Sequence, residues 1–330
     1  VVDDLAGAVV LVTGGTGSFG QAFVRRLLAR HAPAKLIVLS RDEQKHFAMQ
    51  AELSDPRLRF FVGDVRDRQR LLRAFAGVDV VVHAAAMKHV PIAEYNPLEA
   101  VRTNIEGAAH VIDAALERGV GRVLALSTDK AVGPLNLYGA TKLCMEKLFV
   151  AANSYAGGKG TRFDVVRNGN VVGSNGSVVP VFLRQRAQGE LTVTDPAMTR
   201  FWVTMERSVD LALLGLREGR GGEVFVPRVP ACSIAVLAEA IAPGVPQRIV
   251  GIRPGEKMHE TLLAPDEARS ARDRGDHFVI EPNFPWWGGT PRSDGEPLPV
   301  GFRFGSDTAQ QLGVPELRAL LHGQGYPVEA

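Results

Sequence analysis

Seven residues near the start of the chain, Gly14-Gly15-Thr16-Gly17-Ser18-Phe19-Gly20, constrain the fold more than any other stretch. They follow the unbroken, mostly β-branched run Val9-Val10-Leu11-Val12-Thr13, which suits a strand buried on both faces. They precede Gln21–Arg30, where apolar residues at 23, 24, 27 and 28 recur with helical period. Strand, glycine turn, helix is the context in which G-x-G-x-x-G marks a dinucleotide site. The turn must be tight, and a pyrophosphate must reach bare N–H groups at a helix N-terminus. A glycine-rich turn that binds nothing is the competing reading.

The alternation continues. Strands are predicted at Lys35–Leu39, Arg59–Val62, Val78–His83, Val123–Ser127 and Phe163–Arg167, and helices at Asp42–Leu53, Pro97–Arg118 and Leu137–Ala152. Strand–helix repetition with short connections implies an α/β fold: a doubly wound parallel Rossmann sheet over 1–170. Beyond 170 the segments shorten and gain Pro and Gly. They read as a smaller mixed substrate-binding lobe over 171–330, laid on the sheet's carboxyl edge, with later segments free to return to the sheet. At 330 residues and 45% hydrophobic, the chain has material for a substantial core. A net charge of +2 gives no reason to expect nucleic acid or an anionic membrane as partner. Two cysteines build no disulfide framework. No run approaches the ~18 apolar residues of a membrane span, and the first residues lack a signal-peptide pattern. A cytoplasmic protein is the expectation.

The end of the second strand chooses the cofactor. An NAD site wants a carboxylate there for the ribose hydroxyls. This chain has Ser40-Arg41-Asp42-Glu43-Gln44-Lys45, in which Ser40, Arg41 and Lys45 suit a 2′-phosphate, so NADP is expected. Asp42 holding the ribose beside a solvated Arg41 is the alternative. Asp64 and Val65 close the third strand near the adenine edge, and Ala84 leaves space beside the dinucleotide. After the fifth strand come Leu126-Ser127-Thr128-Asp129-Lys130 and then Tyr138-Gly139-Ala140-Thr141-Lys142. Tyr138 and Lys142 share a helix face, and an ammonium beside a phenol should lower its pKa toward neutrality.

On TGGTGSFG (13–20), SRDEQK (40–45), GDVRD (63–67), HAAAMKHVPIAEYNP (83–97), TN (103–104), STDKA (127–131), NLYGATK (136–142), RNGNVVGSNGSVVP (167–180), MTRFW (198–202) and GIRPGEK (251–257), the chain resembles the extended short-chain dehydrogenase/reductases. More narrowly it is similar to the soluble, inverting UDP-N-acetylglucosamine 4,6-dehydratases that begin pseudaminic acid synthesis. The likeness is weakest over about 263–300, including Phe284-Pro285-Trp286-Trp287-Gly288-Gly289. It implies that Thr16, Gly17, Ser18 and Phe19 line the pyrophosphate, with Leu126, Ser127, Tyr138 and Lys142 also on the cofactor side. It implies that Tyr138 takes the sugar O4 proton as the C4 hydride passes to NADP⁺, and that Lys142 holds the nicotinamide ribose. Lys130 would abstract the C5 proton and Asp129 would assist loss of the C6 hydroxyl. Hydride return to C6 would then give UDP-2-acetamido-2,6-dideoxy-β-L-arabino-hex-4-ulose. Lys88, Asn170, Arg253 and Glu256 would surround the UDP-sugar, with Val178, Pro180, Thr192 and Arg200 near its nucleotide. Membrane-anchored, C5-retaining relatives have methionine in place of Tyr138. The family tends to homo-oligomerise, for which the helices at 97–118 and 137–152 are the candidates.

These roles make physical demands. Lys130 must be partly neutral, through burial or cationic neighbours such as Lys88 or Lys142. Asp129 must keep a proton, which needs an enclosed site. Thr128 either bonds substrate O4 beside Tyr138 or caps the next turn. His83 and His89 lack metal-ligand spacing, so no metal is expected. Cys144 is expected in the core. Met198, Phe201 and Trp202 either stack on a base or pack the lobe on the sheet. A UDP-sugar 4-epimerase or a C5-retaining dehydratase on the same scaffold, and a non-catalytic NADPH-binding regulator, are the alternatives.

Overall fold

The computed structural model describes residues 5–157, 160–174, 176–284 and 292–328. Of the Phe284–Gly289 stretch singled out above, residues 285–289 lie outside them. Nine pairings build a ten-stranded sheet whose parallel part runs β3 (Leu58–Val62), β2 (Lys35–Ser40), β1 (Val9–Thr13), β4 (Val80–His83), β5 (Arg122–Thr128), β6 (Arg162–Asn168) and β10 (Val224–Pro227). Antiparallel β15 (His277–Ile280), β14 (Ala271–Asp273) and β16 (Glu296–Pro297) extend it. The first six strands have the doubly wound order, which reverses between β1 and β4 and opens a crevice at their carboxyl ends.

Two cores hold the layers. On one face, α1 (Ser18–Arg30) and α9 (Met205–Glu218) set Phe23, Leu27, Val209 and Ala212 against Val10, Val38, Leu124 and Val166. On the other, α6 (Gly107–Arg118) and α7 (Leu137–Tyr155) bury Val111, Ala115, Met145 and Phe149 against Leu11, Val123 and Val165. Thus α9, β10 and the antiparallel extension return to the sheet although they follow residue 170. The lobe has its own core, in which Val179, Phe182, Leu191, Met198, Trp202, Leu237 and Leu317 meet.

Several elements differ from expectation. The fourth strand starts at Val80, and a short helix α3 (Arg68–Ala74) precedes it. The long helix expected from Pro97 consists of α5 (Pro97–Val101), a π-helical turn at Arg102–Glu106, and α6; a separate α4 (Val90–Tyr95) lies before it. The π turn has a visible consequence. It places buried Asn104 to donate to Met87 O at 2.9 Å and Thr141 Oγ1 at 3.0 Å, and to accept from Met87 N at 2.8 Å. One amide therefore ties the loop after β4 to the helix that carries Tyr138. Cys144 is exposed and not in the core. The buried stripe of α7 runs through Thr141, Lys142, Met145, Glu146, Phe149 and Ala152, and position 144 falls on the opposite side. Phe201 and Trp202 in β9 (Thr199–Val203) alternate, Phe201 entering the sheet-side core and Trp202 the lobe core. Both, with Met198, pack the lobe and leave no stacking surface. Among the described residues no helix is long and apolar enough to cross a membrane.

Candidate active site

The glycine turn is built for close approach. A Cβ on Gly20 would stand 2.5 Å from Gly15 Cα, one on Gly14 would stand 2.8 Å from Ala85 N, and Gly14 has φ +65°. Only glycine lets α1 start this close to β1 and β4. Gly17 caps α1 without any side-chain hydrogen bond, so the helix presents its N-terminus toward the crevice unscreened. Thr16 Oγ1 donates to Ser40 Oγ at 2.7 Å, joining the turn to the end of β2. Ser127 Oγ is buried without a partner on the same side of the sheet edge. An uncapped helix start and an orphaned hydroxyl fit a dinucleotide.

Asp42 is committed elsewhere. Its carboxylate accepts from Lys45 N at 3.1 Å, capping α2 (Glu43–Glu52), and pairs with Lys45 Nζ at 3.1 Å. Those bonds hold its pKa below the usual carboxylate range. Arg41 is exposed at the strand end. The Asp64 carboxylate is taken up by Arg66 at 2.7 Å, and Val65 is buried with its Cγ2 against Gly107. Ala84 and Ala85 line the crevice, with Ala85 N donating to Thr13 Oγ1 at 3.3 Å. His83 bonds Thr13 Oγ1 at 2.8 Å and stacks on Phe149; burial, with Lys142, drops its pKa to about 3, so it is a neutral core residue.

The residues after β5 converge. The β5–β6 register ends at Thr128↔Asn168, which carries both loops to the carboxyl edge together. Thr128 Oγ1 donates to Asp129 Oδ1 at 2.9 Å and meets Lys130 N at 3.4 Å. Thr128 thus caps the turn that carries Asp129 and Lys130, with Tyr138 of α7 alongside. Lys130 Nζ lies 3.1 Å from Asp129 Oδ1, 3.3 Å from Glu260 Oε1 and 3.4 Å from Asn170 Oδ1. Gly139 presses this turn against α7: a Cβ there would stand 2.1 Å from Lys130 O.

The electrostatics bear on three of these demands. Complete burial, with Glu260 nearby, lifts the Asp129 pKa above the carboxylate range, as an acid requires. Lys130, by contrast, has carboxylates for neighbours and not Lys88 or Lys142. Desolvation works against its charge, but Asp129 and Glu260 outweigh it, and the ligand-free chain holds Lys130 as a firm ammonium. Tyr138 is not acidified by Lys142, whose Nζ points to Met145 Sδ at 3.0 Å. Burial pushes the phenol up to about 12, with Lys130 opposing and Asp129 assisting that rise. Burial lowers the Lys142 pKa to about 8.

The expected substrate residues divide. Arg200 is buried and bonds Thr199 O at 2.7 Å and Met258 O at 3.2 Å, and its charge acts on Lys130 and Glu260. It stands in the same charged cluster as Lys130 and Glu260. Val178 and Pro180 open α8 (Val178–Gln188), and Thr192 is held by Gln185 Nε2 at 2.6 Å. Gly176 sits over His89, where a Cβ would stand 2.6 Å from the imidazole, so the loop before α8 covers the segment holding Lys88. Arg253 is exposed and pairs loosely with Glu256 at 3.7 Å. Glu260, Lys257 and Asn104 escaped the sequence reading. Glu260 and Lys257 fall in and after the GIRPGEK motif, where their charges look like ordinary surface residues.

Residues 10–282 match the family described as polysaccharide biosynthesis protein. The UDP-N-acetylglucosamine 4,6-dehydratase (inverting) of Campylobacter jejuni is 52% identical over 276 residues, 83% of each chain. A protein of Rickettsia canadensis named UDP-glucose 4-epimerase is 43% identical over 279 residues, 82% of each. Among solved structures, Pen from Bacillus thuringiensis superposes with a TM-score of 0.91 at 36% identity, covering 98% of this chain and 99% of its own.

Proposed function

The chain belongs to the polysaccharide biosynthesis protein family, within the extended short-chain dehydrogenase/reductases, and from that membership we propose that it is a UDP-N-acetylglucosamine 4,6-dehydratase that uses NADP and inverts C5. The observation that carries this reading is the Thr128–Asp129–Lys130 constellation beside Tyr138, with Asp129 fully buried and Lys130 partly so. Hydride transfer at C4 needs Tyr138 and Lys142 alone. A 4-epimerase would leave a buried acid and a paired ammonium without work, and a regulator would need neither pair.

The turn at Gly14–Gly20 would hold the pyrophosphate, and Ser40 with Arg41 the 2′-phosphate, since Asp42 is spent on capping and on Lys45. When bound, the nicotinamide supplies a hydride acceptor and then a donor, so the overall reaction is redox-neutral. Tyr138 takes the O4 proton, and the positive charge that favours its phenolate is that of Lys130. The resulting 4-ketone acidifies C5–H. Asp129 gives its proton to the departing C6 hydroxyl, which leaves as water. Lys130 must give a proton to solvent before it can take the one on C5. With that proton gone and Asp129 still protonated, the pair presents a base and an acid to adjacent carbons.

Incubation with UDP-N-acetylglucosamine in D₂O, followed by NMR, tests the reading. The expected product is a 6-deoxy-4-keto sugar with deuterium at C5 and the L-arabino configuration. A C4 epimer retaining its C6 oxygen would establish the epimerase instead, and no turnover of any UDP-sugar would favour the regulator. The cofactor assignment has its own check. Arg41→Ala is expected to weaken NADPH binding by roughly 10-fold or more, the worth of a charge-assisted phosphate contact, and to leave NADH binding nearly unchanged. Equal losses for both would return the ribose to Asp42.

A further inference from the structure

From the placement of Glu260 between Lys130, Lys257 and Arg200, we propose that this carboxylate is the positioning residue that keeps the proton on Asp129 and fixes Lys130 for elimination; the proposal rests on the dehydratase reading above. Glu260 enters the site from the segment just before β13 (Thr261–Leu263), and its backbone is anchored on both sides by Ser306. Glu260 N donates to Ser306 Oγ at 2.9 Å, and Ser306 N to Glu260 O at 2.8 Å. The residue is 3% exposed. Oε1 lies 3.3 Å from Lys130 Nζ, while Oε2 lies 3.7 Å from Lys257 Nζ and has no hydrogen-bond partner. Lys257 in turn donates to Val132 O, so its ammonium is held within the cluster.

Three cationic side chains face two buried carboxylates here: Lys130 from the turn after β5, Lys257 from the segment before β13, and Arg200 from β9. Asp129 is also faced by Thr128 and by Tyr138 of α7. The carboxylates are not equivalent. Glu260 has all three cations around it, and they outweigh its desolvation and hold it ionised. Asp129 is fully buried, its cationic partner is Lys130, and the negative charge of Glu260 raises its proton affinity. The surroundings therefore favour the charge on Glu260 over that on Asp129. Lys130 is held between Asp129, Glu260 and Asn170, and Asp129 Oδ2 remains buried and unpartnered, free to address a substrate oxygen. Glu260 need not touch the sugar to do this; it acts through Asp129 and Lys130.

Removing that charge has a signed consequence. Without the anion, Asp129 loses its proton at lower pH and Lys130 also loses its proton at lower pH. Both limbs of the pH–rate profile for elimination then move in the acid direction, whichever group supplies which limb. The experiment uses the full chain with NADP and UDP-N-acetylglucosamine. It follows 6-deoxy-4-keto product by NMR across the pH range, with cofactor reduction at C4 oxidation recorded separately. Glu260→Gln is expected to lower elimination about tenfold or more near neutral pH and to shift the whole bell acid-ward by roughly 1 pH unit or more, the usual effect of a neighbouring charge. Glu260→Asp keeps the charge but withdraws it by one methylene, and its optimum should fall between wild type and the glutamine variant. If the glutamine variant does not fold, the aspartate variant carries the test. A profile reduced in height with an unmoved optimum would overturn the proposal, because a purely structural residue behaves that way. Failure of the wild type to dehydrate this sugar at any pH would instead remove the dehydratase reading itself.

Discussion

Lys130→Ala is expected to oxidise C4 of UDP-N-acetylglucosamine and then stop. Mixing the variant with NADP and substrate should give the rise in absorbance of reduced nicotinamide, without water loss and without deuterium entering C5 from D₂O. The expected fall in elimination is about 10²–10⁴-fold, the usual contribution of a positioned general base. Oxidation should survive because Tyr138 stays in place on α7 and Lys142 stands apart on Met145. It should slow somewhat, because Lys130 is the cation that favours the Tyr138 phenolate. Alanine also strips the buried carboxylates of their shared partner. Asp129 then has no ammonium to favour its ionised form, and its proton is held more tightly still. The variant is therefore an acid without a base, and the stalled species should be the 4-ketone with C5–H intact. Water loss at the wild-type rate would remove Lys130 as the base and leave Glu260 and Tyr138 to be tested for that role.

The ligand-free geometry sharpens what Lys130 must do. An ammonium set against two carboxylates is a poor base, and the neighbours that sequence reasoning hoped would neutralise it, Lys88 and Lys142, are not its partners. Charge complementarity of this kind is invisible in a linear sequence. Asp129 precedes Lys130, but Glu260 lies far along the chain and arrives only through the fold of the lobe. The Rossmann half was legible because its signals are local. Short apolar runs alternating with helical stretches marked the strands, and glycine at 20 is demanded by contact with Gly15 in the same turn. Tyr138 and Lys142 were legible as a helical pair, yet the partner of Lys142 was not, since burial and the position of Met145 decide it. The π turn at Arg102–Glu106 was beyond pattern reading altogether. It seats Asn104 for bonds to Met87 and Thr141, partners distant in sequence that no helical pattern announces. Cys144 failed for a smaller reason: α7 buries a stripe that includes polar Lys142 and Glu146, so hydrophobicity alone set the wrong face inward.

Glu146 is buried because Arg167 holds it, and Arg167→Met is expected to give the largest loss of stability of any single change considered. The Arg167 guanidinium, 2% exposed, makes paired bonds to Glu146 at 2.9 and 2.7 Å and to Glu267 at 2.8 and 2.7 Å, with a further bond to Leu262 O at 3.0 Å. One side chain on β6 thus joins α7 to the segment that follows β13. Methionine fills much of the volume but leaves two carboxylates facing one another without a cation. Breaking a buried pair from one side costs about 3–5 kcal/mol. For a chain of this size, at ~2.1 cal/mol/K of unfolding entropy per residue, that corresponds to a fall in Tm of roughly 4–7 °C. The pH dependence follows in sign. In the native chain Arg167 outweighs desolvation and holds the Glu267 pKa below its ordinary value, so this stabilisation is present above the unfolded pKa and is lost as acid protonates the group. In the variant Glu267 loses the guanidinium that lowered its pKa, burial raises it instead, and the stability this lends at low pH fails as pH rises. The difference in Tm between the two proteins should therefore be largest near pH 8 and shrink toward pH 5. Adding Glu146→Gln to the variant should recover part of the loss, since it removes one of the stranded charges. A Tm unchanged by Arg167→Met would mean that the network contributes nothing. Activity should fall further than stability alone requires, because Leu262, which Arg167 anchors, lies two residues from Glu260. Loosening that strand moves the anion that sets the charge of Asp129 and Lys130.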